Sequence, residues 1–206
     1  MYYKTDKNDH NLPHDPFKAL VSPRPIGWIG TRNKLGINNL APYSYFNAIS
    51  DKPYFVMFAS TGFKDSIKNI EETKVFTCSL ATKDLFNKMN YSSASTKYGD
   101  DEFELSGLTP KDGKLVNAPY VDESPAALEC ELWKVIDLPG SDRSSLSGSY
   151  VVFGHVKGIY IDDKYIKDGL FDTRKARPLG RLGYMDYGII NDDNIFSQKR
   201  PQVDKD

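Results

Sequence analysis

The chain has 206 residues and carries 27 Lys and Arg against 28 Asp and Glu, a formal charge of −1. That balance argues against a nucleic-acid binder, which needs clustered excess Lys and Arg, and no apolar run reaches the roughly 20 residues that cross a bilayer. Two cysteines, Cys78 and Cys130, are too few for a secreted disulfide scaffold. A chain of this length buries enough surface for one domain without disulfides. The expectation is a cytoplasmic protein with one domain over residues 17–190, a polar N-terminal arm (1–16) and a polar C-terminal tail (191–206).

In chain order, β-type runs dominate. Residues 24–31 form the first, followed by the turn-rich 32–36; 46–50, 54–60 and 75–80 are the next three. Two short helices are expected. One spans 65–72 with Asp65 or Ser66 as its cap, and the other spans 83–90 with Leu85, Phe86 and Met89 facing the core. Residues 91–124 are long and irregular, which reads either as a lid or interface arm or as a surface excursion. Alternation over 127–138 places Leu128, Cys130, Leu132 and Ile136 on one face, opposite Glu129 and Glu131. Residues 139–145 read as a hairpin connection to a final long run, 149–162, where Gly154 and Gly158 mark bends or bulges. Many short strands with a few inserted helices predict a mainly β barrel or sandwich.

The chain lacks a nucleophile elbow, a Walker loop, a dinucleotide fingerprint and a zincin motif. His10 and His14 sit four residues apart, but Pro13 between them argues against a helical metal site. His155 lies in a strand and reads as structural or surface, with a cavity role open. No residue is singled out as catalytic, so reactivity would come from an organic cofactor.

Two stretches suggest where such a cofactor sits. Residues 60–69 leave an apolar strand, cross a hydroxyl-rich loop and enter a helix, which aims free N–H groups and the positive helix end at one point. Ser60, Thr61 and Ser66 add hydroxyls and Lys64 a cation. The same residues also read as an ordinary helix cap with a solvated lysine. Residues 35–46 are dense in amide, hydroxyl and aromatic groups. Pro42 holds Ala41 extended, so this segment is expected to present backbone groups outward, with Tyr43 or Tyr45 against a flat ring. An ordinary bulged loop satisfied by Asn38 and Ser44 is the other reading.

Together with Pro23-Arg24-Pro25-Ile26-Gly27-Trp28-Ile29 and the downstream runs around Asp101 to Leu108, Ala118 to Val121, Ala127 to Leu132, Val152 to Val156 and Arg177 to Tyr184, the chain resembles the flavin reductase-like family of FMN-binding split barrels. The resemblance covers roughly residues 17–188. It implies a Greek-key split β-barrel with a few short peripheral helices, forming a homodimer with FMN near the subunit interface. By that resemblance Asn38, Ala41, Pro42, Tyr43 and Ser44 line the flavin ring and ribityl chain, with Thr31 close by. Ser60, Lys64, Asp65 and Ser66 hold the phosphate end, beside the Thr61 hydroxyl, and Arg181 and Tyr184 belong to a C-terminal segment near the cofactor. The implied activity is an oxidoreductase that takes hydride from NADH or NADPH, with a partner oxygenase among the implied partners. The alternatives are an FMN-binding or electron-carrier protein without such turnover, and a β-barrel binding module without flavin.

Overall fold

The computed structural model describes residues 1–97, 99–145 and 147–202; Tyr98, within the long irregular segment, lies outside the described residues. The first half of the chain forms α1 (Phe17–Leu20), β1 (Arg24–Pro25), β2 (Gly27–Arg32), β3 (Asn38–Tyr43), β4 (Phe46–Asp51), β5 (Tyr54–Thr61), α2 (Asp65–Thr73) and β6 (Val75–Leu80). Then come α3 (Phe86–Tyr91), α4 (Glu102–Ser106), β7 (Pro110–Asp112), β8 (Pro119–Val121), β9 (Ala126–Asp137) and β10 (Ser149–Ile161). Short elements follow: β11 (Ile166–Lys167), β12 (Leu170–Phe171), α5 (Thr173–Ala176), β13 (Leu179–Arg181) and β14 (Tyr187–Ile189).

Seven strands share one antiparallel sheet in the order β3-β2-β6-β9-β10-β5-β4. It curls until β4 lies beside β1, the strand that leads into β2. β1 also opens a small three-stranded sheet with β13 and β14. The curled sheet encloses Ile29, Phe58, Phe76, Cys130 and Val152, and α2 closes over it with Ile67 and Ile70. On the other face of β2 and β3, Trp28 and Leu40 pack with Met89 of α3, Phe103 of α4 and Val121 of β8. β2 is therefore buried on both sides, which explains a run without alternation. Fully burying a side chain such as Phe58 or Ile29 contributes roughly 1.5–3 kcal/mol.

Four local expectations need correction or refinement. The 38–43 segment is a paired edge strand: Gly27↔Tyr43 through Arg32↔Asn38 align it with β2, and only its far edge is left to other partners. Leu40 N–H points to that far edge, so Pro42, two residues on, sits where its missing N–H costs no ladder bond. Ile136 does not share the inner face with Leu132, because the β9–β10 register shifts beside Phe153 and Gly154. That bulge turns Val135 inward and leaves Ile136 at the surface. Glu129, expected on the solvent face, is buried and accepts backbone N–H groups from Lys114, Leu115 and Val116. The second helix runs Phe86–Tyr91, beginning after a turn at Lys83 and Leu85. Bulges do accompany Gly154 and Gly158. At Gly154 a Cβ would lie 2.3 Å from the buried Phe76 ring, so only glycine fits.

Candidate functional site

Tyr43 of β3, the β5–α2 turn and the start of α2 come together around a cavity of about 490 Å³. Ala41, Pro42 and Tyr43 line it from β3, and Thr61, Gly62, Phe63, Lys64, Asp65 and Ser66 from the turn. Gly62 takes φ +89°, a left-handed conformation that sets the reversal after β5, and its N–H bonds to Gly148 O at 2.8 Å. Lys64, not Asp65 or Ser66, is the N-cap residue of α2, and it makes no side-chain cap bond. The backbone N–H groups of the first turn of α2 thus keep the anion-binding geometry of a helix start, with a lysine at its tip.

A buried polar layer supports this wall from behind. Asn39 Nδ2 donates to Ser66 Oγ at 2.9 Å and to Thr31 Oγ1 at 3.2 Å. Asn69 Nδ2 donates to Thr31 Oγ1 at 3.1 Å. Ser60 Oγ donates to Gly62 O at 2.9 Å and holds the turn from inside. Thr31 and Ser60 are therefore buried behind the cavity and shape it without lining it. Burial pushes the Tyr43 phenol above its ordinary value, against the opposing pull of the Ser66 and Ser60 hydroxyls, so it is neutral at physiological pH.

The hairpin after β9 takes part as well. Arg143 pairs with Asp137 at 2.7 Å and with Glu71 of α2 at 2.8 Å, and its guanidinium lies 5.0 Å from the centre of the Phe63 ring. It braces the turn that carries Lys64. Its hydrogen bond holds the Asp137 carboxyl below its usual range.

The opposite wall is the hydroxyl-rich run from Ser92 to Thr96, with Glu102 of α4. Trp28 Nε1 donates to Ser92 Oγ at 2.9 Å, anchoring one end of that run in the second core. By sequence this run falls in the segment that reads as a lid, interface arm or surface excursion, and none of its residues is named there as cofactor-binding. Its only signal was an accumulation of Ser and Thr inside a segment without periodicity. Burial raises the carboxyls of both Asp65 and Glu102 above their ordinary values; Lys68 opposes the shift at Asp65, and Leu40 N–H and the Thr96 hydroxyl oppose it at Glu102.

Other expected residues lie elsewhere. Asn38 is absent from the cavity lining; its side chain accepts from Arg32 Nε at 2.9 Å and donates to Asp101 at 3.3 Å. Alternation along β3 gives the neighbouring Asn39 the cavity position instead. Ser44 lies at the β3–β4 corner outside the lining. Arg181 and Tyr184 belong to the β13–β14 hairpin, where Arg181 donates to the carbonyls of Tyr184 and Met185 and stacks 4.3 Å from the Tyr187 ring centre. His155 stacks on Phe55 at 4.9 Å, away from this cavity. Among the described residues no cluster of three or more metal-ligating side chains occurs, and no helix is long and apolar enough to cross a membrane.

A family model described as flavin reductase like domain matches residues 20–180. An uncharacterized protein of Aquifex aeolicus is 36% identical over 189 residues, covering 89% of this chain and 92% of that protein. Nitrilotriacetate monooxygenase component B from Bacillus cereus superposes with a TM-score of 0.85 at 23% identity, covering 96% of this chain and 98% of that one. A structure from Shewanella frigidimarina, described as a flavin reductase with split barrel domain, gives 0.81 at 20% identity over 98% and 100% of the two chains. These likenesses identify the curled sheet as a split barrel. With a match that runs from α1 to the small sheet, the chain belongs to the flavin reductase-like family.

Proposed function

We propose that the protein binds FMN in this cavity and works as an NAD(P)H-dependent flavin oxidoreductase, assembled as a homodimer. The observation that carries the reading is that one cavity joins two stretches far apart in sequence, Ala41–Tyr43 and Thr61–Ser66, each suited to a different end of the same molecule. The donor set fits. Lys64, the first-turn N–H groups of α2 and the Ser66 and Thr61 hydroxyls suit a phosphate dianion. The Asp65 and Glu102 carboxyls and the hydroxyls of Ser92 to Thr96 suit a polyhydroxyl chain. Ala41, Pro42 and Tyr43 offer a mixed apolar and backbone surface for a flat ring.

Bound there, FMN would supply the hydride-accepting centre that this chain lacks among its own side chains. The protein's part is placement. The turn at 61–66 fixes the anionic end, and Asn39, held by Thr31 and Ser66, orients its amide carbonyl as an acceptor beside the ring or chain. Tyr43 stays protonated and keeps a negative charge away from the site. A nicotinamide donor would approach along the open side of the cavity and react by ring stacking, with no acid–base side chain required for hydride transfer. The Bacillus cereus neighbour's name, monooxygenase component B, favours a role in which reduced flavin passes to a partner oxygenase.

Anaerobic rapid mixing of FMN-loaded protein with NADH and, separately, NADPH tests this reading. Loss of the oxidised flavin absorbance near the mixing time with at least one donor is expected. Flavin that binds and stays oxidised with both would replace the reductase by an electron carrier, and a protein that takes up no flavin would leave a binding module of another kind.

A further inference from the structure

Glu102 sits where two parts of the cavity meet. It is buried, 6% exposed, at the first position of α4. Its two carboxyl oxygens are divided between different elements. Oε2 accepts the Leu40 N–H at 2.9 Å, on the edge of β3 that no strand covers. Oε1 accepts the Thr96 hydroxyl at 2.9 Å, at the end of the Ser92-to-Thr96 wall. Asp101, one residue earlier, is committed to capping Phe103 N–H and to Asn38, so it cannot take over either bond. A carboxyl in this position does more than satisfy a strand edge. It ties the Ser92–Thr96 wall to β3.

We propose that Glu102 is a positioning residue of the cavity, whose bonds to Leu40 and Thr96 hold the Ser92–Thr96 wall closed and set how long an occupant stays bound. The proposal rests on the flavin reading for the identity of the occupant, but the closure itself is a property of this chain. Closing the wall takes the carboxyl out of water. The groups that face it are Asp65 from α2 and the neutral Tyr43 from β3, with Asp101 beside it on its own helix. On α3, Lys88 is engaged with Gly107 O at the far end of α4. Burial and Asp65 both favour the protonated form in the closed state. The sign of the pH effect follows from linkage. A group whose pKa is higher closed than open binds its proton more tightly when closed, so protonation favours closure and rising pH favours opening.

Four proteins test this: the native chain, Thr96→Val, Glu102→Ala and Glu102→Gln. The readouts are hydrogen-exchange protection of Leu40 and residues 92–97 without flavin, and the FMN release rate between pH 5 and 8. Thr96→Val is expected to lose protection over 92–97 while Leu40 stays protected, and to release FMN roughly tenfold faster, the kinetic equivalent of one charge-assisted hydrogen bond. Glu102→Ala should lose protection at both places. Glu102→Gln keeps one acceptor and one donor, as the protonated acid does, so it should release FMN slowly with a flatter pH profile than the native chain. Titration of the FMN phosphate is common to both profiles and cancels in the comparison. Native-like protection and release in Thr96→Val, or identical pH profiles for Glu102→Gln and the native chain, would overturn the proposal. If no variant, nor the native chain, bound FMN, the flavin reading would fail, and the exchange pattern would still decide the closure.

Discussion

At the residue scale, the site separates a charge that can be tested from a background of neutral donors. Lys64 stands exposed at the tip of α2, where its cation adds to the helix end. Thr61 and Ser66 are uncharged, and Thr31 and Ser60 are shielded behind them. Removing the lysine charge should therefore hurt a phosphate more than a ring. Lys64→Ala is expected to weaken FMN by about 1.5 kcal/mol, the low end for a charged hydrogen bond because solvent screens an exposed group, and to leave riboflavin nearly unchanged. Parallel titrations of both ligands, followed by flavin fluorescence, measure the difference. Equal losses would place the phosphate somewhere other than the β5–α2 turn.

At the scale of elements, the barrel is tight where its strands bend. Gly154 lies at a register shift between β9 and β10 and faces Phe76, which is fully buried against Phe58 and Cys130. The ring cannot retreat without opening that core. Gly154→Ala should cost about 1–3 kcal/mol by overpacking, read as a lower urea midpoint with an unchanged slope. Adding Phe76→Leu should recover part of the loss. The same bulge marks a limit of the sequence. The alternation over 127–138 is visible in Leu128, Cys130 and Leu132, but a one-residue slip exchanges Ile136 for Val135, and such a slip depends on how β10 passes Phe76. The strand-to-helix turn at 60–66 was legible because its chemistry is local: small hydroxyl residues, a glycine and a helix start in sequence. Asn39 lines the cavity where the resemblance points to Asn38, a difference of parity that the pairing of β3 with β2 sets. The Ser92–Thr96 wall and Glu102 were illegible for a deeper reason. Their buried members, Ser92 and Glu102, are held by Trp28 and Leu40, more than 50 positions away.

At the scale of the whole molecule, the sheet carries an aromatic surface that stands exposed among the described residues. Trp133 of β9 is 63% exposed and meets Phe55 of β5 at 5.7 Å and Phe153 of β10 at 5.8 Å, each ring edge-on. His155 stacks on Phe55 at 4.9 Å and extends the same surface. Ile136 and Tyr54, exposed on β9 and β5, add to the apolar area those strands show to solvent. Exposed tryptophan among other aromatics is typical of an interface centre, where burying one such ring contributes heavily to association. With a net charge of −1, long-range repulsion does little to oppose the meeting of two copies. The homodimer is therefore expected to form across this face. Light scattering on the native chain should give twice its 23.3 kDa mass, and Trp133→Glu should give the monomer with its far-UV spectrum intact, because the ring is outside the core. Arg181 and Tyr184, placed away from the cavity within one chain, provide a second readout: if a partner copy brings them to the flavin, the monomeric variant should also bind FMN more weakly. A native chain that scatters as a monomer would remove the homodimer, and a Trp133→Glu variant that remains dimeric would move the subunit contact to a different face of the barrel.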